Sequence, residues 1–187
     1  IALLTALVAI LLVALLSEQG VPDLMTFSVG FEDQPEERGN EFEYSDPVAA
    51  MYGTRHHKYL IPNADVLRRL PEAVDQMSEP MFAQDAVAFY LLAEQVSKTV
   101  KVVQSGQGAD EVFGGYLYFH KAPNAREFHA ETVRKLDALH NYDCLRANKS
   151  MMAWGVEARV PFLDTEFLDI AMRMDAQAKM AGGGRIE

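Results

Sequence analysis

Thr99-Val100-Lys101-Val102-Val103-Gln104-Ser105-Gly106-Gln107-Gly108-Ala109-Asp110-Glu111-Val112-Phe113-Gly114-Gly115-Tyr116 is the stretch whose reading decides the fold. Residues 99–104 read as a buried strand, rich in β-branched residues. A glycine-rich turn follows, and a helix opens from it. A strand that empties through a turn into a helix is the unit of an open α/β sheet, and such sheets bind ligands at the carboxyl ends of their strands. Gly106 and Gly108 let the backbone approach a ligand closely. Amides at the start of the next helix favour an anion. Asp110 and Glu111 supply hard oxygen ligands suited to Mg²⁺. A plain turn with a helix cap accounts for the same glycines and acids, so the pattern leaves both readings open.

Outward from this segment, strands alternate with helices. Leu24 to Phe31 (LMTFSVGF) reads as a strand after the Gly20-Val21-Pro22-Asp23 turn. Asp46 and Pro47 look like a helix cap and first position, with Gly53 ending that helix. His56 to Ile61 reads as a second strand. Ala64 to Met77 is expected to be helical with a break near Pro71, and residues 80–83 to be a loop. Ala86 to Lys98 reads as a buried helix. Asn124, with Glu127 three residues on, opens a longer helix that places Val133, Leu136 and His140 on one face. Further helix is expected through Met152, and a last short helix from Asp164 to Met174. Apolar strands between helices argue for a parallel α/β sheet followed by an all-helical C-terminal third.

The 187 residues are 49% hydrophobic, which excludes a disordered chain and is enough to bury a sizeable core. One globular domain is expected. The balance of 17 basic to 27 acidic residues gives a formal charge of -10. That excludes a nucleic-acid binder, which needs a basic surface to release counterions. A small phosphorylated ligand remains compatible, because backbone amides and Mg²⁺ hold phosphate on acidic proteins. The single cysteine, Cys144, cannot make an internal disulfide and points to a reducing compartment. It is expected to be a buried structural thiol within a helix. The chain opens on Ile1, without Met, and reads as a segment of something longer.

Ile1 to Leu16 holds fifteen apolar residues and Thr5. As a helix it would be about 24 Å long, short of the ~30 Å hydrocarbon core of a bilayer. No basic residue precedes it, as a signal peptide would require. The reading preferred over a membrane segment is a fully buried element, either a core strand running into a helix or one buried helix.

Ser105 to Tyr116 resembles the second signature of the glutamine-hydrolysing asparagine synthetase family. So does Asn148 to Asp164 (NKSMMAWGVEARVPFLD), and Thr26 to Phe31 and Gly53 to His57 match further family segments. The resemblance covers essentially the whole chain. It implies a synthetase domain over residues 1–187, incomplete at both ends. The implied fold is a doubly wound parallel sheet of the adenine nucleotide alpha-hydrolase-like, ATP-pyrophosphatase type, with a helical C-terminal portion. The implied reaction is adenylation of a carboxylate by MgATP, release of pyrophosphate, and attack by ammonia supplied from glutamine. With aspartate as acceptor the products are asparagine, AMP and pyrophosphate, and the setting is the cytoplasm.

Residues up to about Tyr116 are most similar to N-acetylglutaminylglutamine amidotransferase, notably residues 77–80 and 83–87. From Tyr116 onward, Leu117 to Asn124 is similar to bacterial asparagine synthetase B, so the sequence reads as a recombination of two relatives.

By the same resemblance, Val29, Ser105, Gly106 and Gly108 would line the nucleotide and Asp110 would bind Mg²⁺. Lys135 would stand near pyrophosphate, where its charge stabilises the leaving group; a solvated helix face is the competing reading. Gln107 occupies a catalytic position where asparagine synthetases often carry Glu. A glutamine can hydrogen-bond there but cannot take a proton from ammonia.

Two further departures stand out. The family's Ser-Gly-Gly-x-Asp-Ser pyrophosphate loop aligns with Leu4, Thr5, Ala6, Leu7, Val8 and Ala9, so the glycines, the hydroxyls and one Mg²⁺ carboxylate are gone. At roughly 1.5–3 kcal/mol for each charged hydrogen bond, several kcal/mol of phosphate binding go with them. That change would also let strand and helix fuse into one helix. The chain also stops before a later family lysine and lacks the glutaminase domain. Gln84 and Asp85 stand where a basic residue for the aspartate carboxylates is expected. Among weaker candidates, His56 and His57 point to opposite faces of a strand. Trp154 is expected in the core, Glu157 and Arg159 either face the site or pair in the core, and residues 36–38 form a solvated loop.

Overall fold

The computed structural model of the chain describes residues 2–33, 35, 39–40, 42–77, 79 and 86–180, with residues 2–8 described through their backbone. In chain order the elements are α1 (Ala2–Glu18), β1 (Met25–Phe31), α2 (Phe42–Tyr52), β2 (Arg55–Ile61), α3 (Asn63–Gln76), α4 (Ala86–Ser97) and β3 (Val102–Gln104). They continue with α5 (Ala109–Phe113), α6 (Ala125–Ala138), α7 (Asp143–Met152), β4 (Glu157–Arg159), α8 (Thr165–Arg173) and α9 (Ala176–Lys179). The architecture is mixed α/β and mostly helical. β1 and β2 pair in parallel, from Met25 opposite Arg55 to Phe31 opposite Ile61, and β3 pairs with β4. No helix among the described residues is long and apolar enough to cross a membrane.

The chain divides into two compact units. One comprises Ala9–Val103 and Arg146–Ala158; the other comprises Ile1–Val8, Gln104–Leu145 and Arg159–Glu187. The first unit is organised by α4, whose sequence AVAFYLLAEQVS is apolar nearly all round and is accordingly buried. Val87, Tyr90 and Leu91 join Ile61 of β2 and Ala73 of α3 in one cluster, with Val29 and Phe31 of β1 packed against it. Ala93 and Val96 join Met151 and Val156 in a second cluster, with Phe27 and Val103. Gly53, at φ +61, ends α2, and the Thr54 amide donates back to the Ala49 carbonyl at 3.0 Å.

In the second unit an aromatic seam does the packing. Phe128 of α6 meets Phe119 at 5.3 Å, and Phe167 of α8 makes edge contacts with Phe113 and Phe162. Gly114, at φ +72, closes α5 against the Phe128 ring. The buried Lys179 ammonium donates to the Val112 carbonyl at 3.0 Å and so satisfies one of the open carbonyls at the end of α5.

Several expectations need correction. Residues 2–18 form one helix, as the missing glycines allow, but over residues 9–18, whose side chains are described, none is buried: Leu11 is 48% and Leu15 45% exposed. A helix apolar on every side exposes whichever side finds no partner. α2 starts at Phe42 rather than at the Asp46-Pro47 pair, because the Asn40 side chain accepts from the Phe42 amide and the Phe42 ring meets the Lys58 ammonium. α3 runs through Pro71 without a break; Arg69, paired with both Glu72 and Glu94, ties that turn to α4. β3 is three residues, shorter than expected. α6 buries Phe128 and Thr132 rather than a Val133–His140 face; Val133 is exposed and His140 lies in a separate 3-10 turn. Glu157 and Arg159 are exposed on the short strand β4, outside any core. The expectations for residues 36–38, 80–83, Gln84 and Asp85 fall outside the described residues.

The packing of Gly114 is testable. An added Cβ would lie 2.4 Å from the Phe128 ring, in a left-handed conformation. Gly114→Ala should cost about 2–4 kcal/mol. Gly53→Ala, left-handed but with open space around it, should cost about 1–2 kcal/mol. Urea unfolding of the two variants reads the difference; equal losses would contradict the packing.

Candidate functional site

The backbone leaves β3 at Gln104 and turns at Ser105, whose amide donates to the Arg159 carbonyl at 2.9 Å. Gly106 and Gly108 are buried, and Gly108 takes φ +94. A side chain at 108 would collide with Leu163, so the tight approach of these two segments requires glycine. α5 then begins directly. It is only five residues long, so its dipole is small, and the amide of its first residue, Ala109, already donates to the Gly106 carbonyl at 3.3 Å.

Three polar side chains are buried along this turn: Gln107 is 7%, Asp110 9% and Glu111 2% exposed. Among the described residues the Gln107 Oε1 and Glu111 Oε2 atoms are buried without a hydrogen-bond partner. The other Glu111 oxygen accepts from the Tyr116 hydroxyl at 2.5 Å, and that hydroxyl also lies 3.5 Å from Asp143 Oδ2. Burial pushes the Glu111 carboxyl above its usual range, against the opposing pull of the Tyr116 hydrogen bond; Asp143 and Asp110 add to the rise. Burial, with the bonded Glu111 carboxylate, also raises the Tyr116 hydroxyl.

Lys135 belongs to the same unit. It sits in the last turn of α6 with its ammonium 5.6 Å from the Tyr116 ring centre and 5.2 Å from that of Tyr118. The structure therefore brings Ser105, Gly106, Gln107, Gly108 and Asp110 into one turn and links Lys135 to it through Tyr116. Val29 lies on β1 in the first unit, opposite Tyr59 in the register, with its side chain against the α4 cluster.

The weaker candidates are structural. His56 shares its ring nitrogens with Thr26 and Ser45, while His57 stacks on Phe27 at 5.0 Å. Trp154 packs on Tyr90. Cys144 is half-buried in α7, and burial raises its thiol pKa. No cluster of three metal-ligating side chains occurs among the described residues. Asp110 offers one hard oxygen ligand group in a buried setting. That fits a Mg²⁺ whose remaining ligands are water and substrate phosphate, the usual arrangement for this ion.

Tyr116 carries no assigned role in the sequence; its one signal is a tyrosine five residues past an acid, across Gly114-Gly115. Lys179 had none, because the carbonyl it caps is 67 residues away.

A turn of this kind defines a class, and comparison with known proteins places the chain in it. The asparagine synthase family model matches residues 10–128 and 121–185, and the chain belongs to that family. The matched stretches overlap at 121–128 and leave residues 1–9 and 186–187 outside. Asparagine synthetase B (glutamine-hydrolyzing) of Escherichia coli K12 is 47% identical over 174 residues, 91% of this chain. The asparagine synthetase (glutamine-hydrolyzing) of Asparagus officinalis is 45% identical over 176 residues, and asparagine synthetase 3 of Arabidopsis thaliana 47% over 170. The chain spans only 30%, 29% and 28% of these relatives' lengths.

The raised Glu111 pKa fixes a pH dependence. An acid whose folded pKa lies above its ordinary value of 4.5 contributes most below 4.5, and that contribution is lost as pH rises through the folded pKa. Glu111→Gln keeps an acceptor for Tyr116 and does not ionise. Chemical denaturation should therefore show Glu111→Gln gaining on the natural chain as pH rises from 4.5 toward neutrality. A difference independent of pH would contradict a buried, raised carboxyl.

Proposed function

We propose that the chain is the nucleotide-handling part of an AMP-forming amide ligase. In this reading MgATP adenylates a carboxylate, aspartate in the first instance, and ammonia from glutamine displaces AMP to give asparagine. The glutaminase that releases the ammonia lies outside this chain. Membership of the asparagine synthase family supports the reaction class, and the names of the relatives support aspartate over a dipeptide acceptor. The doubly wound ATP-pyrophosphatase sheet is the fold we assign to the complete domain, and the cytoplasm is its setting.

The observation that carries the reading is the buried turn from Ser105 to Glu111. A buried amide oxygen left without a donor costs about 1–3 kcal/mol, and Gln107 Oε1 is in that position among the described residues. A ligand donor, such as the attacking amine, would satisfy it. In the proposed roles, Ser105, Gly106 and Gly108 line the nucleotide, with Val29 contributing backbone at the adenine. Asp110 would hold Mg²⁺, which would supply positive charge for the phosphates. Lys135 supplies positive charge for departing pyrophosphate. Gln107 orients the amine without accepting its proton.

A second reading is favoured by one observation. Residues 4–9, aligned with the family's phosphate loop, lie inside the continuous helix α1. A helix has its interior amides bonded to its own carbonyls and cannot wrap them around phosphate. On that reading the chain folds without turning over ATP. Calorimetric titration with MgATP separates the two, comparing the natural chain with L4S/T5G/A6G/V8D/A9S, which rebuilds the loop around Leu7. We expect weak binding by the natural chain and a gain of tenfold or more, about 1.4 kcal/mol, in the rebuilt one. Absence of binding by both folded proteins would overturn the nucleotide-site reading.

A further inference from the structure

Lys135 is held in an unusual way for a lysine at an acidic surface. Its ammonium stands over the Tyr116 and Tyr118 rings, and among the described residues no carboxylate forms an ion pair with it. Glu131, four residues back on its own helix, is paired with Arg134 at 2.6 Å and feels the Lys135 charge only through space. The two rings lie within 14° of parallel, and Tyr116 is also parallel to the buried Phe119 within 13°. Tyr116 is fixed from behind, because its hydroxyl donates to Glu111, which is almost fully buried in α5.

The series runs from a rigid acid through a tyrosine to a cation. It has a chemical consequence. A carboxylate partner would cancel the lysine's charge, whereas an aromatic face orients the ammonium and leaves its field available to an anion. A flexible four-carbon stem gains most from such orientation.

We propose that Tyr116, pinned by Glu111, is the positioning residue that aims the Lys135 ammonium at the pyrophosphate subsite. The assignment deepens the proposed function and rests on its reading of Lys135. It does not make Tyr116 a catalytic residue, since the ring acts on the lysine and not on substrate. The charged groups that surround the series are Asp110 and Glu111 on α5, Glu131 and Arg134 on α6, and Asp143 on α7.

The experiment has two readouts on the whole chain. The first is the proton chemical shift of the Lys135 ε-methylene, in protein labelled at the lysine ε-carbon and assigned with Lys135→Met. A methylene carried over two rings should resonate upfield of the other lysines. Tyr116→Leu should cut the displacement to the part that Tyr118 supplies, and Tyr116→Phe should reduce it less, because the ring remains but its tether to Glu111 is gone. Glu111→Gln should preserve it, because the amide oxygen still accepts from the hydroxyl. The second readout is calorimetric titration with magnesium pyrophosphate. Tyr116→Leu and Lys135→Met should each weaken binding about tenfold, and the double variant no further, as expected when one residue acts through the other.

An ordinary Lys135 shift in the natural chain, or one unmoved by Tyr116→Leu, overturns the positioning role and leaves the proposed function standing. A displaced shift with pyrophosphate affinity indifferent to Lys135→Met overturns the placing of Lys135 at that subsite, and with it this proposal. A natural chain that does not bind magnesium pyrophosphate overturns the pyrophosphate subsite itself, whatever the shift shows. Tyr116→Phe guards against misfolding, since it removes one oxygen and leaves the aromatic packing in place.

Discussion

The bond from the Tyr116 hydroxyl to Glu111 is the interaction that joins the buried turn of the second unit to its aromatic seam. It lets a carboxyl sit almost entirely out of water on a helix of five residues. An ionised acid in such a place would need compensation of several kcal/mol, and raising its pKa is the less costly response. The flanking geometry serves the same end. Gly108 and Gly114 take left-handed conformations at the two ends of α5, and each lies where a side chain would strike Leu163 or Phe128. Lys179 covers a carbonyl at the far end. A short helix with so few bonds of its own holds its shape because its surroundings over-determine it.

The chain holds two tendencies in one sequence. Residues 105–116 form a compact buried turn of the kind that suits close backbone approach to phosphate. Residues 4–9 form part of a long apolar helix with none of that character. On the proposed reading a phosphate chain would need contacts from both segments, and the turn alone would hold it weakly. The physical difference is local. Leucine and alanine favour helix, and glycine at the same positions would interrupt it at about 1 kcal/mol each.

Much of this was legible in the residues. β1 was legible as a run of β formers, β2 as a short stretch between Gly53 and Pro62, and α4 as an unbroken apolar stretch. The Asn124 cap on α6 followed from a polar residue three before Glu127, and the Asn124 side chain does accept from the Glu127 amide. The misses arose where tertiary contacts outweigh local preference. Pro71 was expected to break α3, but an ion network through Arg69 carries the helix past it. The exposure of α1 was not predictable from periodicity, because a helix apolar all round has no marked face. At the site, the glycines and acids of the turn were visible in sequence. The link from Glu111 through Tyr116 to Lys135 was not, since it depends on a fold that brings α6 back over the turn.

The most direct test of the central claim is paramagnetic broadening of backbone amide signals in the ¹⁵N-labelled chain, on adding Mn²⁺, a stand-in for Mg²⁺, together with pyrophosphate. The account predicts broadening centred on the amides from Gly106 to Glu111, lost in Asp110→Asn. Broadening centred elsewhere, or unchanged in Asp110→Asn, would contradict it.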